Sequence, residues 1–229
     1  MPGMSALAAL LVAALHVGAG AQGVDTLPRA AMDSIANRLT VIRQTTVEQS
    51  SWPRVLLYRF IDASPEESTA MFADYEHQAA YIRDLVEARI TRRLDSSRTE
   101  VFFRYSSGIR LLPTTTYTVM ERLARADSNR YVVAWTLVSG SKLRSIQGSA
   151  RFFGWTNPVS GRAGTLLVYE QFVVPSFMGD GLGFVRARAL NGVRDAVDAI
   201  AAEVERERAT DRVQLDRQRG ALNAALIAQ

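Results

Sequence analysis

Four charged side chains on predicted β-strands are the candidates for chemistry in this sequence: Arg104, Glu121, Arg151 and Glu170. A charge that points into an apolar interior is costly unless it pairs with another charge or with a polar group of a ligand. Such residues more often lie on the solvent face of a sheet, where they do no chemistry. No spacing in the sequence requires catalysis. If the protein is an enzyme, we expect Glu121 and Glu170 to serve as acid or base, with the two arginines and nearby tyrosines.

Aromatic residues are concentrated on the same predicted strands. Because side chains alternate between the two faces of a strand, about half of them point each way. The side chains that we expect to face inward are Phe103, Tyr105, Tyr117, Val119, Val133, Trp135, Phe153, Leu167 and Tyr169. They either fill a core or line an apolar cavity that binds a ligand, and a one-residue error in register would exchange the two faces.

A glycine-rich segment joins the last predicted strand to the last long helix. Gly179, Gly181 and Gly183 alternate with other residues and give the backbone hinge freedom. The apolar side chains beside them are those of Phe177, Met178 and Phe184. We predict a gate with a flexible apolar lip, and the alternative is a glycine-rich start of a helix. A phosphate-binding loop is not expected, because no crossover unit or downstream strand completes a dinucleotide fold.

Several kinds of catalytic centre are excluded by composition. The chain has no cysteine and two histidines, His16 and His77, so thiolate catalysis and a Cys/His zinc site cannot be built. A multi-histidine iron or copper centre is excluded as well. His77 lies in a polar, surface-like turn, and no Gly-x-Ser-x-Gly motif accompanies it. We therefore expect neither a metal nor a cofactor.

Length and charge indicate one globular domain without a nucleic-acid partner. The 229 residues are 48% hydrophobic and 22% charged, which suits a single domain with a sizeable core. The net charge is +4, and Lys142 is the only lysine. Because the arginines are scattered among acidic residues, they form no basic patch for nucleic acid. A modest attraction to anionic lipid headgroups is equally compatible with this charge.

The N-terminal residues resemble a secretory signal peptide. An apolar run at residues 5–17 precedes Ala19-Gly20-Ala21, a small-x-small pattern that predicts cleavage after Ala21. Against this, no lysine or arginine precedes the run, and the alternative is an amphipathic or buried N-terminal helix. We expect an exported protein, periplasmic or secreted, which without cysteines must be held together by its core alone.

A long helix near the C-terminus is the element that must position the strands. In residues 181–208, Leu190, Val193, Val197, Ile200 and Val204 recur at spacings of three and four, which places them on one face. The apolar partner for this face is a series of six alternating segments, predicted as antiparallel strands at residues 86–94, 99–107, 114–123, 131–139, 145–155 and 165–174.

Before this series lie one strand and a helical segment. Residues 54–61 predict a strand, and Ser64, Pro65 and Glu67 form a helix start with a capping box. The helical period continues to about residue 83, with a break at 74–76 that divides it into two short helices. Residues 27–39 predict a short helix, and residues 40–48 either form a strand or continue that helix. Residues 209–229 can prolong the long helix, lie on a membrane or fray, and we expect fraying.

Two stretches carry a resemblance to a known superfamily. RFIDASPEESTAMFADYEHQAAYI at 59–82 joins a strand to a Ser-Pro-Glu-Glu helix start, and SIQGSARFFGWTNPVSGRAGTLLVYEQFVVPS at 145–176 is a glycine-bearing strand, a Pro/Gly hairpin and a further strand. With the long helix after them, they resemble the START-like polyketide cyclase and lipid-transfer superfamily (SRPBCC), which includes the birch-pollen allergen. The resemblance covers residues 54–208 and specifies a fold rather than a reaction.

The resemblance implies an α+β helix-grip fold, in which a curved antiparallel sheet of about seven strands wraps around the long C-terminal helix. Two short helices follow the first strand, and an elongated apolar pocket lies between sheet and helix. We therefore divide the chain into a signal peptide (1–21), an N-terminal extension (22–51), a helix-grip domain (52–208) and a tail (209–229).

Three functions are compatible with this fold. The first is an exported, non-catalytic carrier of a hydrophobic small molecule or lipid, with transient membrane contact. The second is a cyclase/aromatase or hydrolase that uses carboxylates, arginine and tyrosine in the same cavity. The third is a membrane-associated interaction module held by the arginine-rich helix and the tail.

Overall fold

An eight-stranded antiparallel sheet is the frame of the protein, as seen in a computed structural model that describes residues 27–106, 114–176 and 183–227. The strands are β1 (Val41–Thr45), β2 (Arg54–Ile61), β3 (Leu85–Arg93), β4 (Arg98–Tyr105), β5 (Thr115–Asp127), β6 (Arg130–Gly140), β7 (Leu143–Thr156) and β8 (Ala163–Pro175). They are hydrogen-bonded in the order β1-β2-β8-β7-β6-β5-β4-β3. Strands β3 to β8 therefore form a meander, and β8 returns to lie beside β2.

Five helices accompany the sheet within the described ranges: α1 (Arg29–Ala36), α2 (Pro65–Phe72), α3 (Tyr75–Gln78), α4 (Gly183–Thr210) and α5 (Arg212–Ile227). The predicted α+β helix-grip fold, with two short helices and a long C-terminal helix, is confirmed. The strand number differs by one, because residues 41–45 add an edge strand whose register runs from Val41 opposite Tyr58 to Thr45 opposite Arg54. The strand alternative for this segment is thus correct.

The capping box at the start of α2 is confirmed. The Glu67 backbone N–H donates to the Ser64 hydroxyl over 3.2 Å, and the Ser64 backbone N–H donates to the Glu67 carboxylate over 2.8 Å. These bonds satisfy two donors that the first turn leaves free. The break is also confirmed: α2 ends at Phe72 and α3 begins at Tyr75, with Asp74 between them. This arrangement turns Phe72 and Tyr75 toward the sheet's core.

Apolar residues form a separate cluster on each face of the sheet. The inner cluster joins the strands to α2, α4 and α5, and Val101, Phe152 and Ile200 are among its buried members. The outer cluster lies under α1 and contains Leu27, Ile35, Tyr58, Phe60, Leu166 and Val168. Segment 27–45 therefore covers the outer face of β2 and β8.

Helix α4 has the length and the apolar face that its spacing predicts. Val197, Ile200 and Val204 are buried, and Leu190 and Val193 are partly buried against the inner cluster. Because its apolar face points toward the sheet, α4 forms one wall of the space between the sheet and the helices.

The expected fraying of the tail is wrong. Residues 212–227 form α5, and its Leu215 and Leu222 are buried in the inner cluster. Arg212 pairs with Glu67 at 2.9 Å, and Arg219 pairs with Glu66 at 3.0 Å. Few apolar residues are enough to hold α5 in place, because two of its arginines also form ion pairs with carboxylates in the first turn of α2.

Candidate ligand-binding site

A central cavity of about 80 Å³ lies between the inner face of the sheet, α2, α3 and α4. Six of the nine strand residues predicted to face inward line it: Phe103, Tyr105, Tyr117, Val119, Trp135 and Tyr169. The opposite wall is the apolar face of α4, with Val193, Ala196, Val197 and Ile200. The predicted gap between the sheet and the long helix is therefore present, and it is small.

The other three predicted inward residues are placed differently. Val133 and Leu167 are buried in the inner cluster but are not part of the cavity wall. The prediction for Phe153 is wrong, because this side chain packs against the outer cluster. Its neighbour Phe152 takes the inward position and is fully buried. Two adjacent phenylalanines fit either register equally well, so the sequence alone does not choose between them.

The predicted gate falls mostly outside the described residues. This applies to Phe177, Met178, Gly179 and Gly181, which the described ranges omit. Gly183 is the first residue of α4 and Phe184 follows it in the helix. The gate and its apolar lip remain predictions.

The sheet side of the cavity is a wall of stacked aromatic rings. The Phe103 and Tyr117 centroids are 5.3 Å apart, and the Tyr105 and Tyr117 rings are 6.1 Å apart and inclined by 7°. Further along, the Trp135 and Tyr169 centroids are separated by 5.2 Å. Burial raises the pKa of Tyr105 to about 12, so this hydroxyl is neutral at physiological pH. Such a wall offers a broad apolar surface with a few hydroxyl groups at its edge.

Gly148 on β7 makes room for Trp135. A Cβ added at this position would lie 2.5 Å from the Trp135 ring and 2.4 Å from the carbonyl oxygen of Glu170. Both distances are far below van der Waals contact. Glycine therefore allows the indole to lie flat on β7 and form part of the cavity wall.

Glu121 is the one member of the four charged candidates that faces the cavity. Only 5% of the residue is exposed, and its carboxylate accepts a hydrogen bond from the Tyr75 hydroxyl. Among the described residues it forms no ion pair and no other hydrogen bond. Burial raises the pKa of Glu121 to about 7, and the hydrogen bond from Tyr75 partly opposes this shift.

The other three charged candidates lie away from the cavity. Glu170 contacts Arg54 and pairs with Arg151 at 3.6 Å, while Arg104 pairs with Glu87 at 3.0 Å. Their strand positions alternate with those of the cavity-lining residues, so they belong to the outer face. The acid and base pair expected of an enzyme is therefore not brought together in the cavity.

Two further cavities adjoin the central one. The second, of about 180 Å³, is lined by Ala70, Ala73, Asp74, Tyr75, Glu76, Ile90, Arg93, Ser96, Ser97, Thr99, Glu121, Leu123, Gln218, Ala221, Leu222 and Ala225. The third, of about 80 Å³, is lined by Trp52, Pro53, Val55, Gln171, Val173, Arg186, Ala189, Leu190 and Val193. Tyr75 and Glu121 are shared by the central and second cavities, and Gln171 and Val193 by the central and third. The three cavities thus form a row with two shared walls.

Some lining residues were not predicted from the sequence. Gln171 could have been predicted, because it lies two residues after Tyr169 and therefore on the same face of β8. Its side chain accepts a hydrogen bond from the Tyr169 hydroxyl over 2.9 Å. Tyr75 and Gln218 depend on how α3 and α5 pack against the sheet, and no local pattern specifies that packing.

His77 is exposed, as predicted, but it lies within α3 and not in a turn. Its side chain is 64% exposed, and Nδ1 lies 2.8 Å from the Asp74 carboxylate, which raises the pKa of the imidazole. Residues 27–106, 114–176 and 183–227 contain no group of three or more His, Cys, Asp or Glu side chains suited to a metal ion. None of the helices in those ranges combines the length and apolar character needed to cross a bilayer.

The meander, the returning β8 and the long helix across the inner face define a START-like helix-grip domain. Solved structures with this fold include lipid-transfer proteins and aromatase/cyclases. The match is to the fold, since sequence identity to them is low.

Three solved structures illustrate the likeness. The STAR-related lipid transfer protein from Xanthomonas axonopodis (fragment 25–204) has a TM-score of 0.59 and 10% identity, and the match covers 72% of this chain and 93% of that one. Human StAR-related lipid transfer protein 5 has a TM-score of 0.57 and 7% identity, with coverage of 73% and 82%. The Zhui aromatase/cyclase from a Streptomyces species has a TM-score of 0.53 and 16% identity, with coverage of 73% and 96%.

Sequence comparisons find no relative. No protein-family model matches the chain, and no curated protein matches it.

Proposed function

We propose that the protein is an exported binding or carrier protein for a hydrophobic small molecule or lipid, held between the sheet and α4. The observation that carries the proposal is the central cavity, in which stacked Phe103, Tyr105 and Tyr117 face the apolar side of α4. Apolar surface that enters such a space gains roughly 25 cal/mol for each Å² removed from water. Desolvation of the ligand is the driving force.

The row of cavities supports a ligand larger than the central space. A typical ligand site occupies about 300–1,000 Å³, and the central cavity alone, at about 80 Å³, is far below that range. Movement of the two shared walls, Tyr75 with Glu121 and Gln171 with Val193, would join the three spaces. The combined volume then reaches the lower end of the range.

Ligand access is proposed at the end of the row where α4 begins. Arg186, Ala189 and Leu190 in the early turns of α4 line the third cavity. The predicted gate at residues 179–183 precedes them in the chain. Closure of that segment over an apolar ligand would complete its removal from water.

Export and membrane contact are further parts of the proposal. The segment 1–21 supports export, and N-terminal sequencing of the mature protein from a membrane-enclosed or secreted fraction is expected to begin at Gln22. Exposed Val213 and Ile227 on α5 support transient contact with a bilayer during ligand exchange. Sedimentation with anionic lipid vesicles tests that contact, and Val213→Ser together with Ile227→Ser is expected to weaken it, since both side chains are exposed and lie outside the core.

A cavity-filling variant tests the binding site. Ala196 lines the central cavity, so Ala196→Trp should occupy the space and lower the affinity for a neutral fluorescent lipid at least about tenfold. The control is Val138→Phe on β6, where the side chain is 50% exposed and binding should be unchanged. Equal affinity of the filled variant and the unsubstituted protein would refute this binding site.

An enzyme that acts in the same cavity is the second candidate. It is favoured by Glu121, whose pKa of about 7 suits a general acid or base near neutral pH. Under this alternative Glu121→Gln would abolish turnover of a polyketide or ester substrate while leaving its binding intact.

A further inference from the structure

The second cavity differs from the central one in its lining. At about 180 Å³ it is larger than the roughly 150 Å³ space that accepts a benzene molecule in an engineered protein core. Its walls come from α3, from the β3–β4 hairpin and from α5, which lies outside the region of family resemblance. Serine, threonine, carboxylate and amide side chains interrupt the apolar surface here.

Two hydrogen-bond acceptors in these walls are under-used. Gln218 is 7% exposed, and its Nε2 donates to Asp74 over 2.8 Å. That bond fixes the orientation of the amide, and the Oε1 atom is left buried without a partner. Glu121, in the wall shared with the central cavity, accepts a single hydrogen bond, from Tyr75. A buried acceptor without a donor is unfavourable, so a donor from a ligand would be favourable here.

The charges that line the second cavity favour a cation. Asp74, Glu76 and Glu121 are acidic, and Arg93 is the basic side chain that faces them. Arg93 is exposed and makes no ion pair among the described residues, and its charge acts on Tyr75, where it opposes the rise in the pKa of that hydroxyl that burial causes. Asp74 is already engaged by His77 and Gln218. The buried carboxylate that lacks a cationic partner is therefore that of Glu121.

We propose that the second cavity receives the protonated amino group of the ligand, held by Glu121 and Gln218, while the ligand's apolar body lies in the central cavity. This inference rests on the proposed function. An ammonium group carries three donors and no acceptor, which matches one under-used carboxylate and one unpartnered amide oxygen. The wall of Tyr75 and Glu121 then lies where the ligand's polar and apolar parts meet.

Calorimetric titration of the full chain with four related probes tests the inference: butylbenzene, phenylbutanol, phenylbutylamine and phenylbutyric acid. They share one apolar body and differ at its end. We expect the amine to bind about tenfold more tightly than the alcohol, because the hydrogen bond becomes charge-assisted. The acid should bind most weakly, because its carboxylate would meet that of Glu121.

Three variants locate the effect. Glu121→Gln keeps the side chain's shape and should remove the amine's advantage while changing butylbenzene affinity less than about twofold. Gln218→Met removes the acceptor on α5 and should reduce the advantage in the same direction. Glu170→Gln is the matched control, since Glu170 is a carboxylate of the outer face that lines none of the three cavities, and its loss should have little effect.

The outcomes separate this inference from the proposed function. If no probe binds, butylbenzene included, the proposed function fails and the inference with it. If all four probes bind with equal affinity, the ligand site stands and the amine subsite is refuted, the second cavity holding water only. An amine preference that survives Glu121→Gln, or that disappears equally in Glu170→Gln, would also overturn the assignment.

Discussion

The two faces of the sheet use the same residue types in different ways. On the outer face Glu170 lies between Arg54 and Arg151, and α1 packs onto the outer cluster. On the inner face Glu121 has a tyrosine as its partner, and the aromatic side chains border open space. An ion-paired, partly exposed carboxylate is a surface feature, whereas a nearly buried one without a cation indicates a site. The two carboxylates therefore differ in environment and not in residue type.

The largest expected effect concerns packing on the two faces. Leu215→Ala in the inner cluster and Ile35→Ala in the outer cluster each remove a fully buried side chain and should lower the free energy of unfolding by about 2–5 kcal/mol. Urea denaturation measures both losses. The inner substitution alone should change ligand affinity, and an equal change from Ile35→Ala would contradict the separation of the two faces.

Glu121 is expected to make stability depend on pH. Its pKa in the folded state, about 7, lies above its ordinary value of 4.5, so the native protein holds the proton more tightly than the unfolded chain. The free energy of unfolding should therefore fall as pH rises from about 4.5 to about 7, by about 3 kcal/mol, and should not change further above that window. Denaturation at several pH values, compared with Glu121→Gln, isolates this contribution.

In the Glu121→Gln variant this part of the pH dependence should be absent. The variant should then be more stable than the unsubstituted protein above pH 7, since its amide never ionises. Identical pH profiles would show that Glu121 is solvated rather than buried.

A substitution at Gly148, on the inner face, is expected to change the free energy of unfolding by an intermediate amount. Gly148→Ala should displace Trp135 and lower the free energy of unfolding by about 1–3 kcal/mol, because the added carbon overlaps the indole. Tryptophan fluorescence should report the displacement. The matched control is Gly192→Ala on α4, where nothing lies within 4 Å of the added carbon and stability should rise by about 0.5–1 kcal/mol. A loss of the same size at both glycines would argue against the close contact.

The smallest expected effect is at the outer carboxylate. Glu170→Gln weakens a partly exposed ion pair and should lower the free energy of unfolding by about 0–1 kcal/mol. The pH profile of stability should keep its shape. A change in ligand affinity from this variant would mean that the outer face takes part in binding.

Much of the fold follows from local patterns in the sequence. The stripe from Leu190 to Val204 predicts α4, Ser64 with Glu67 predicts the start of α2, and the alternation from Phe103 to Tyr169 predicts most of the cavity wall. Each of these signals resides within a few neighbouring residues. These features can therefore be predicted without knowledge of the tertiary structure.

The missed features depend on contacts between distant residues. Helix α5 is stabilised by ion pairs to Glu66 and Glu67, some 145–153 positions earlier in the chain. The choice between Phe152 and Phe153 is set by the pairing of β7 with β8. Glu121 lacks an ion pair because Arg93, the cation that lines the same cavity, is exposed and does not pair with it. Such facts are properties of the assembled sheet and not of any segment.

Native mass spectrometry of the protein purified without detergent is the decisive test of ligand binding. We expect a mass above that of the polypeptide, lost on extraction with organic solvent and restored by adding the extract back. Ala196→Trp should carry none of this extra mass. A bare polypeptide mass before extraction, together with no uptake of neutral fluorescent lipid or butylbenzene, would contradict the claim that the space between the sheet and α4 binds an apolar ligand.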